Sequence, residues 1–517
     1  MKKNRDIFEN SEYFAKYKPI RNKLRQYDGD SIILGIIRYL RKPTHRPIDE
    51  AMKHPWLCLL LVKWTVIDEE YASDKGNPIS EQRLLDILNQ TLDLSKYLRE
   101  LTEYDHYTLF MRNFAFQQFW YQRKPYVLSM ARQSYLFGEL PADNPIRRAY
   151  SKTFGLDIED ALNLSLVLFY YLCSERRASV SISNFGDLNQ HYKSKVGAFL
   201  DLLARDSKSL PKYLNAGDKV GRTSWEYFEQ TPLIRYPLYK MGNTYWCYSD
   251  KVMARALESH YYDIMKGIDA DWFMTEFGAV FERYVEKGLA YSKVKYCDES
   301  EIRSVLGAKH KAVDFILNEG GNGILIDAKA VELSYSAKAS HRTEIIQGAT
   351  RNSVLKAVEQ AFSVINDIET QQYNHSIVAP RNSYFLLIIT YKELYLTGGE
   401  YFYEHIARSE CDEISKKYEY SMKLPYENIF FLTIEEHEIL TAMMRNGTSI
   451  SALLERAVGN QKSPETRKYE FHQHFADFVS KNPLPEYLMD EINRMMDDVG
   501  GILKRNQSDD SRSKIVR

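Results

Sequence analysis

The stretch that decides the fold is Val313–Ala330, VDFILNEGGNGILIDAKA. Gly320 and Gly321 suit the centre of a two-residue turn, where both φ angles are positive and glycine is the least strained residue. With that turn Glu319 pairs with Asn322, and counting outward rung by rung sets Asp314 opposite Asp327. Side chains alternate between the two faces of a strand. Asp314, Asp327 and Lys329 therefore share one face, while Val313, Phe315, Leu317, Ile324, Ile326 and Ala328 share the other. The spacing predicts an antiparallel hairpin with one face on a core and the other gathering charge.

Two carboxylates facing each other across a ladder, within roughly 5 Å between Cβ atoms, repel and cost stability unless a cation sits between them. A hard divalent ion resolves that: Mg²⁺ takes carboxylate oxygens, keeps several waters and can make one of them nucleophilic. Lys329 projects beside such an ion, placed to stabilise charge on a phosphate or to position the attacking water. A merely solvated polar face, with Asp327 and Lys329 as surface charges, explains the alternation but not the pair of aspartates.

VDFIL followed by IDAK resembles the PD-(D/E)XK nuclease superfamily, whose motif is an Asp on one strand and Asp/Glu-x-Lys on the next. Val313 stands where the naming proline would be. The resemblance implies Mg²⁺, with Mn²⁺ as substitute, held by Asp314, Asp327 and the backbone carbonyl of Ala328. In FGAVFERYVEKGL, Glu282 follows Phe281 as the acidic residue on the first core helix does in such nucleases, a fourth candidate metal ligand, with Glu276 and Glu286 as rivals that helix phase leaves open. In LKAVEQAFSVI, Lys356 and Gln360 fall four apart on one helical face. That helix is similar to one carrying Gln-x-x-x-Tyr in exonuclease-like branches, although Val364 replaces the tyrosine. The resemblance spans about Leu233 to Leu440, and the candidate catalytic set is Glu282, Asp314, Asp327, Lys329 and Gln360.

Around this core the chain divides by texture. Residues 1–225 read as a mostly helical domain, with apolar residues recurring at three and four spacing; DIEDALNLSLVLFYYLCSERR shows it, with Asp157 or Asp160 as cap. Residues 226–455 read as a mixed α/β nuclease-like domain, a restriction-endonuclease-like core with a central mixed sheet flanked by helices. Its expected order is a hairpin of PLIRYPLYK and NTYWCYS, helices from Lys251 to Lys266 and Asp271 to Ser292, and a strand near SEIRSVL. The quoted hairpin follows, then a polar stretch Glu332–Arg351, a helix Ser353–Asp367, and strands YFLLIIT and NIFFLT. Thr433 and Glu436 then have capping-box spacing at the start of a last helix. Residues 456–517 read as a helical tail whose end, KRNQSDDSRSKIVR, has a disordered composition.

With 517 residues the chain exceeds one hydrophobic core, and its 69 basic and 70 acidic side chains confine any nucleic-acid surface to a local patch. Five scattered cysteines without a CxxC pair exclude a zinc knuckle or disulfide framework and suit a reducing cytoplasm. No apolar run is long enough to span a bilayer. In RNFAFQQFWYQRKPYVLSMARQSYLF, Arg112, Arg123, Lys124 and Arg132 read as basic residues in water on a helix pair with an aromatic core, ahead of a base-stacking surface. Lys338, His341, Arg342 and Arg351, just after the second aspartate strand, read equally as substrate contacts or as a polar connector. GDKVGRTS has the wrong spacing for a phosphate loop, and His472 with His474 lack further ligands nearby.

The expectation is a Mg²⁺-dependent nuclease cleaving DNA in the cytoplasm, with RNA open as an alternative substrate, and with the helical domain open to a partner protein and the chain to homo-oligomers. Helical extensions of this kind resemble restriction or anti-phage defence effectors. The rival reading is a nuclease-like binding module whose catalysis is absent or latent.

Overall fold

The computed structural model describes residues 2–68, 76–97, 104–123, 126–193, 195–217, 224–371, 373, 375–478 and 483–515. They form a mixed α/β chain in which helices predominate and nine strands make two mixed sheets. Two compact units emerge: Met1–Tyr104, Asn113–Asp269 and Asp490–Arg517 form one, and Asp105–Arg112 with Ala270–Met489 the other.

The first unit is helical at its N-terminal end, as its periodicity predicts. Gly29–Leu40 starts at Asp28, whose side chain accepts from the Ser31 amide, and buries Ile32, Ile33, Ile36 and Ile37. Pro55–Ile67 is apolar all round and buried along nearly its whole length, as a helix enclosed by neighbours must be. Asp157, not Asp160, caps Ile158–Phe169. Two short strands that the helical texture hides, β1 (Ser179–Ser181) and β2 (Ala204–Asp206), lie in this unit. They flank the hairpin of β3 (Leu238–Met241) and β4 (Thr244–Cys247) in a sheet ordered β1-β4-β3-β2. This pairing corrects the expected boundary at residue 225/226: the hairpin belongs with the helical segment because its two ladder partners come from there.

The second unit is built on a five-stranded sheet, ordered β5-β6-β7-β8-β9: β5 (Tyr296–Asp298), β6 (Phe315–Glu319), β7 (Asn322–Lys329), β8 (Ser383–Thr390) and β9 (Ile429–Thr433). β5, β6 and β7 pair antiparallel, whereas β7, β8 and β9 run parallel. The turn has Gly320 at φ 61° and Gly321 at φ 84°, and Glu319 pairs with Asn322 as the spacing predicts. The expectation of one apolar and one charged face needs correcting. Ile316 and Leu325, on the same side as the aspartates, are also fully packed, because parallel crossovers cover both sides of such a sheet with helices. Charge is confined to the end of that face.

Other differences have identifiable causes. SEIRSVL is a helix, Glu299–Leu306, not a strand: Asp298 and Glu301 form a reciprocal capping box that outweighs the short apolar alternation. The polar stretch after Glu332 contains helices Tyr335–Lys338 and Thr343–Thr350, and the next helix runs Lys356–Gln371 after a wide π turn at Arg351–Leu355. Thr433 and Glu436 do form the predicted box.

The chain beyond residue 455 is not a separate tail. Ser451 and Glu455 accept from Asn322 at the hairpin tip, and Phe471 packs on Phe430, so the chain up to Met489 completes the second unit, while Asp490–Arg517 belongs to the first. Helix Glu486–Ile515 takes in the described part of the segment expected to be disordered, which has no glycine or proline after Gly501.

Arg112 and Arg132 are buried rather than in water. Arg112 donates to the carbonyls of Ala337, Lys338 and Leu394, and burial lowers its pKa to about 10. Lys124 and most of GDKVGRTS lie outside the described residues. All five cysteines are buried and free. Among the described residues no helix is long and apolar enough to cross a membrane.

Candidate metal centre

The site lies where β6 begins and β7 ends. The antiparallel ladder closes at Phe315↔Ile326, one rung short of the two aspartates. Asp314 sits in the bend before β6. Its Oδ2 accepts from the Ala328 amide at 2.6 Å, which fastens the bend to β7. Asp327, inside β7 and next to parallel β8, is fully buried.

Lys329 Nζ donates to Asp327 Oδ1 at 2.5 Å and to Gln360 Oε1 at 3.3 Å. Gln360, on the Lys356–Gln371 helix, in turn donates from Nε2 to the Ala312 carbonyl at 2.9 Å. One amide thus ties the lysine head to the chain entering the Asp314 bend. The other oxygen of Asp327, Oδ2, is buried and accepts no hydrogen bond among the described residues. Leaving a buried acceptor unmet costs about 1–3 kcal/mol, and more for a charged one.

The electrostatics match this geometry. Burial first, and then the Asp327 charge, push the Asp314 carboxyl well above the usual carboxylate range, against the opposing pull of Lys329 and the Ala328 amide. Burial also raises Glu282, with Glu299, Glu286 and Asp327 adding to the shift and Lys329 opposing it. Glu282, on helix Ala270–Ser292, feels the Asp327 charge, while Glu286 accepts from the Tyr296 hydroxyl at 3.3 Å. The structure therefore brings Glu282, Asp314, Asp327, Ala328, Lys329 and Gln360 into one neighbourhood.

Sequence reasoning missed two contributors. Glu299 was not among the candidates; the capping box of Asp298 and Glu301, which puts it on a helix, was its signal. The Ala312 carbonyl, as a backbone acceptor, leaves no signature in the sequence. His472 lies 3.4 Å from the Glu436 carboxylate, and His474 is buried and bonded to Asn460, so neither histidine joins the site.

Among the described residues no three His, Cys, Asp or Glu side chains stand together as a preformed metal cage. The donor chemistry nevertheless fits a hard, water-retaining ion better than zinc: oxygens only, two closely coupled carboxylates, one with an orphaned buried oxygen. The Lys329 ammonium is the counter-charge to Asp327.

Compared with known proteins, the chain matches no family model, no curated protein and no solved structure.

Proposed function

We propose that the second unit is a Mg²⁺-dependent phosphodiesterase acting on DNA, of the PD-(D/E)XK type. The observation that carries this reading is the orphaned, fully buried Oδ2 of Asp327 beside an Asp314 carboxyl forced upward by burial and by the Asp327 charge. A buried carboxylate oxygen with no donor is an unfavourable arrangement that a cation relieves. The sheet order, with an antiparallel hairpin carrying the acids and parallel strands beyond it, also supports a restriction-endonuclease-like core.

In this reading Asp314, Asp327 and the Ala328 carbonyl hold the ion, with Glu282 assisting directly or through water. When bound, a divalent ion there supplies Lewis-acid stabilisation of the phosphoryl oxygens and lowers the pKa of a water. Lys329, positioned by Asp327 and Gln360, donates to the phosphate as negative charge builds in the transition state.

The test is cleavage of plasmid DNA, and of matched RNA, by the full-length protein with Mg²⁺ or Mn²⁺, with Asp327→Ala as the control. Metal-dependent cleavage lost in the variant supports the reading. Equal cleavage by both proteins, or none with any metal or nucleic acid, favours the nuclease-like binding module instead.

A further inference from the structure

A cleft of about 520 Å³ opens beside Gln360 and Ala312, the two residues that tie Lys329 to the Asp314 bend. Its walls come from the Glu299–Leu306 helix, the chain before β6, the wide turn at Arg351–Leu355, the helix that follows it, and the Arg408–Ser415 helix, which carries Glu410 and the exposed Glu413. Five of the side chains lining it are basic and three are acidic. The acids are not all available to repel an anion. Glu359 is held between Lys311 at 3.2 Å and Lys417 at 3.1 Å, and its carboxyl is kept below the usual range despite burial. Glu410 is likewise lowered, with Ser409, its own amide, Gln347 and Arg351 opposing its burial.

Lys356 differs from its neighbours. It is exposed and has no ion pair among the described residues. It stands one helical turn before Gln360, on the face that leads to Lys329. Arg351 and Asn352, also exposed, reach the same cleft from the π turn, a local widening that often re-aims side chains at functional sites. Cations and a polar amide thus stand continuous with the Lys329–Gln360 pair.

We propose that this cleft binds a phosphate of the nucleic-acid strand next to the scissile one, with Lys356 and Arg351 as its principal contacts. The inference rests on the phosphodiesterase reading, and it adds a strand-positioning site distinct from the metal-holding aspartates. Contacts of this kind release counter-ions, so each one lost lowers the slope of log affinity against log salt by about 0.7 for a single strand and about 0.9 for a duplex.

The experiment uses full-length protein in chelator, so that nothing is cleaved, with a fluorescent oligonucleotide as single strand and as duplex, titrated across a salt series. Lys356→Ala and Arg351→Ala each lower the slope by about one contact in a sequence-independent way, and Lys356→Arg restores it. Unchanged slopes in both alanine variants, or absence of binding by the wild type, overturn the proposal. Asp327→Asn separates the two readings. If cleavage with Mg²⁺ depends on Asp327 while the Lys356→Ala slope equals wild type, the strand site is wrong and the nuclease stands. If the slope falls while no metal supports cleavage, the cleft binds nucleic acid and the nuclease reading fails.

Discussion

Two hairpins, one in each unit, are built by the same local rules and end differently. β3–β4 turns at Gly242 and Asn243, β6–β7 at Gly320 and Gly321, and both are antiparallel ladders bordered by a parallel strand. In the first, the polar groups find partners: the Tyr239 hydroxyl donates to Asp30 at 2.5 Å, and Tyr245 and Lys240 both reach Asp201, at 2.9 and 2.6 Å. In the second, Asp327 is fully buried with one oxygen unmet, and Asp314 is held beside it. A hairpin that only supports a fold satisfies its polar atoms, since each unmet one subtracts from a small net stability. In the proposed reading, that retained electrostatic stress is what a bound cation would relieve.

The largest effect expected from breaking that contrast is on cleavage. Asp327→Ala lowers the metal-dependent rate by about 10³-fold or more, the scale of losing a key electrostatic group, whereas Tyr239→Phe in the other hairpin leaves it unchanged. Initial rates on supercoiled plasmid measure both. Next, Lys329→Ala costs about 10²-fold and Gln360→Ala about tenfold, the second being one hydrogen bond's worth of lost positioning. A Gln360 effect equal to that of Lys329 would mean that the amide touches substrate itself.

Metal should also act on stability, and only through the second hairpin. At about 100 times its Kd, Mn²⁺ stabilises the wild type by about 2.7 kcal/mol, a shift read from thermal melts and absent in Asp327→Ala. Stability should also depend on pH. The Asp314 carboxyl is raised on folding, so its contribution in the ion-free protein is fully present below the unfolded value of about 3.9. That contribution is lost as pH rises through the elevated native value. Relative to Asp314→Asn, the wild type should therefore lose up to about 1.4 kcal/mol per pH unit across that window in denaturant titrations. A pH-independent difference between the two proteins would show that Asp314 is not under the stress described.

The sequence made the β6–β7 hairpin legible because its information is local: two glycines fix the turn, the turn fixes the register, and the register places Asp314 near Asp327. Gln360 was legible only as a residue on the face of Lys356; its bonds to Lys329 and Ala312 depend on how the crossover helix packs. The Glu299–Leu306 helix was misread because a seven-residue window cannot separate alternation from one amphipathic turn, while the Asp298 and Glu301 cap could have decided it. The unit boundary near Asp269 was hidden for a different reason. It follows from β1 and β2, strands of three residues each, pairing with β4 and β3 across long stretches of chain.

The most direct measurement of the central claim is an anomalous difference map from crystals soaked in Mn²⁺. The account predicts a peak bridging the carboxylates of Asp314 and Asp327, with the Lys329 ammonium displaced from Asp327 Oδ1. No peak there at saturating Mn²⁺, with Lys329 still paired to Asp327, would contradict it.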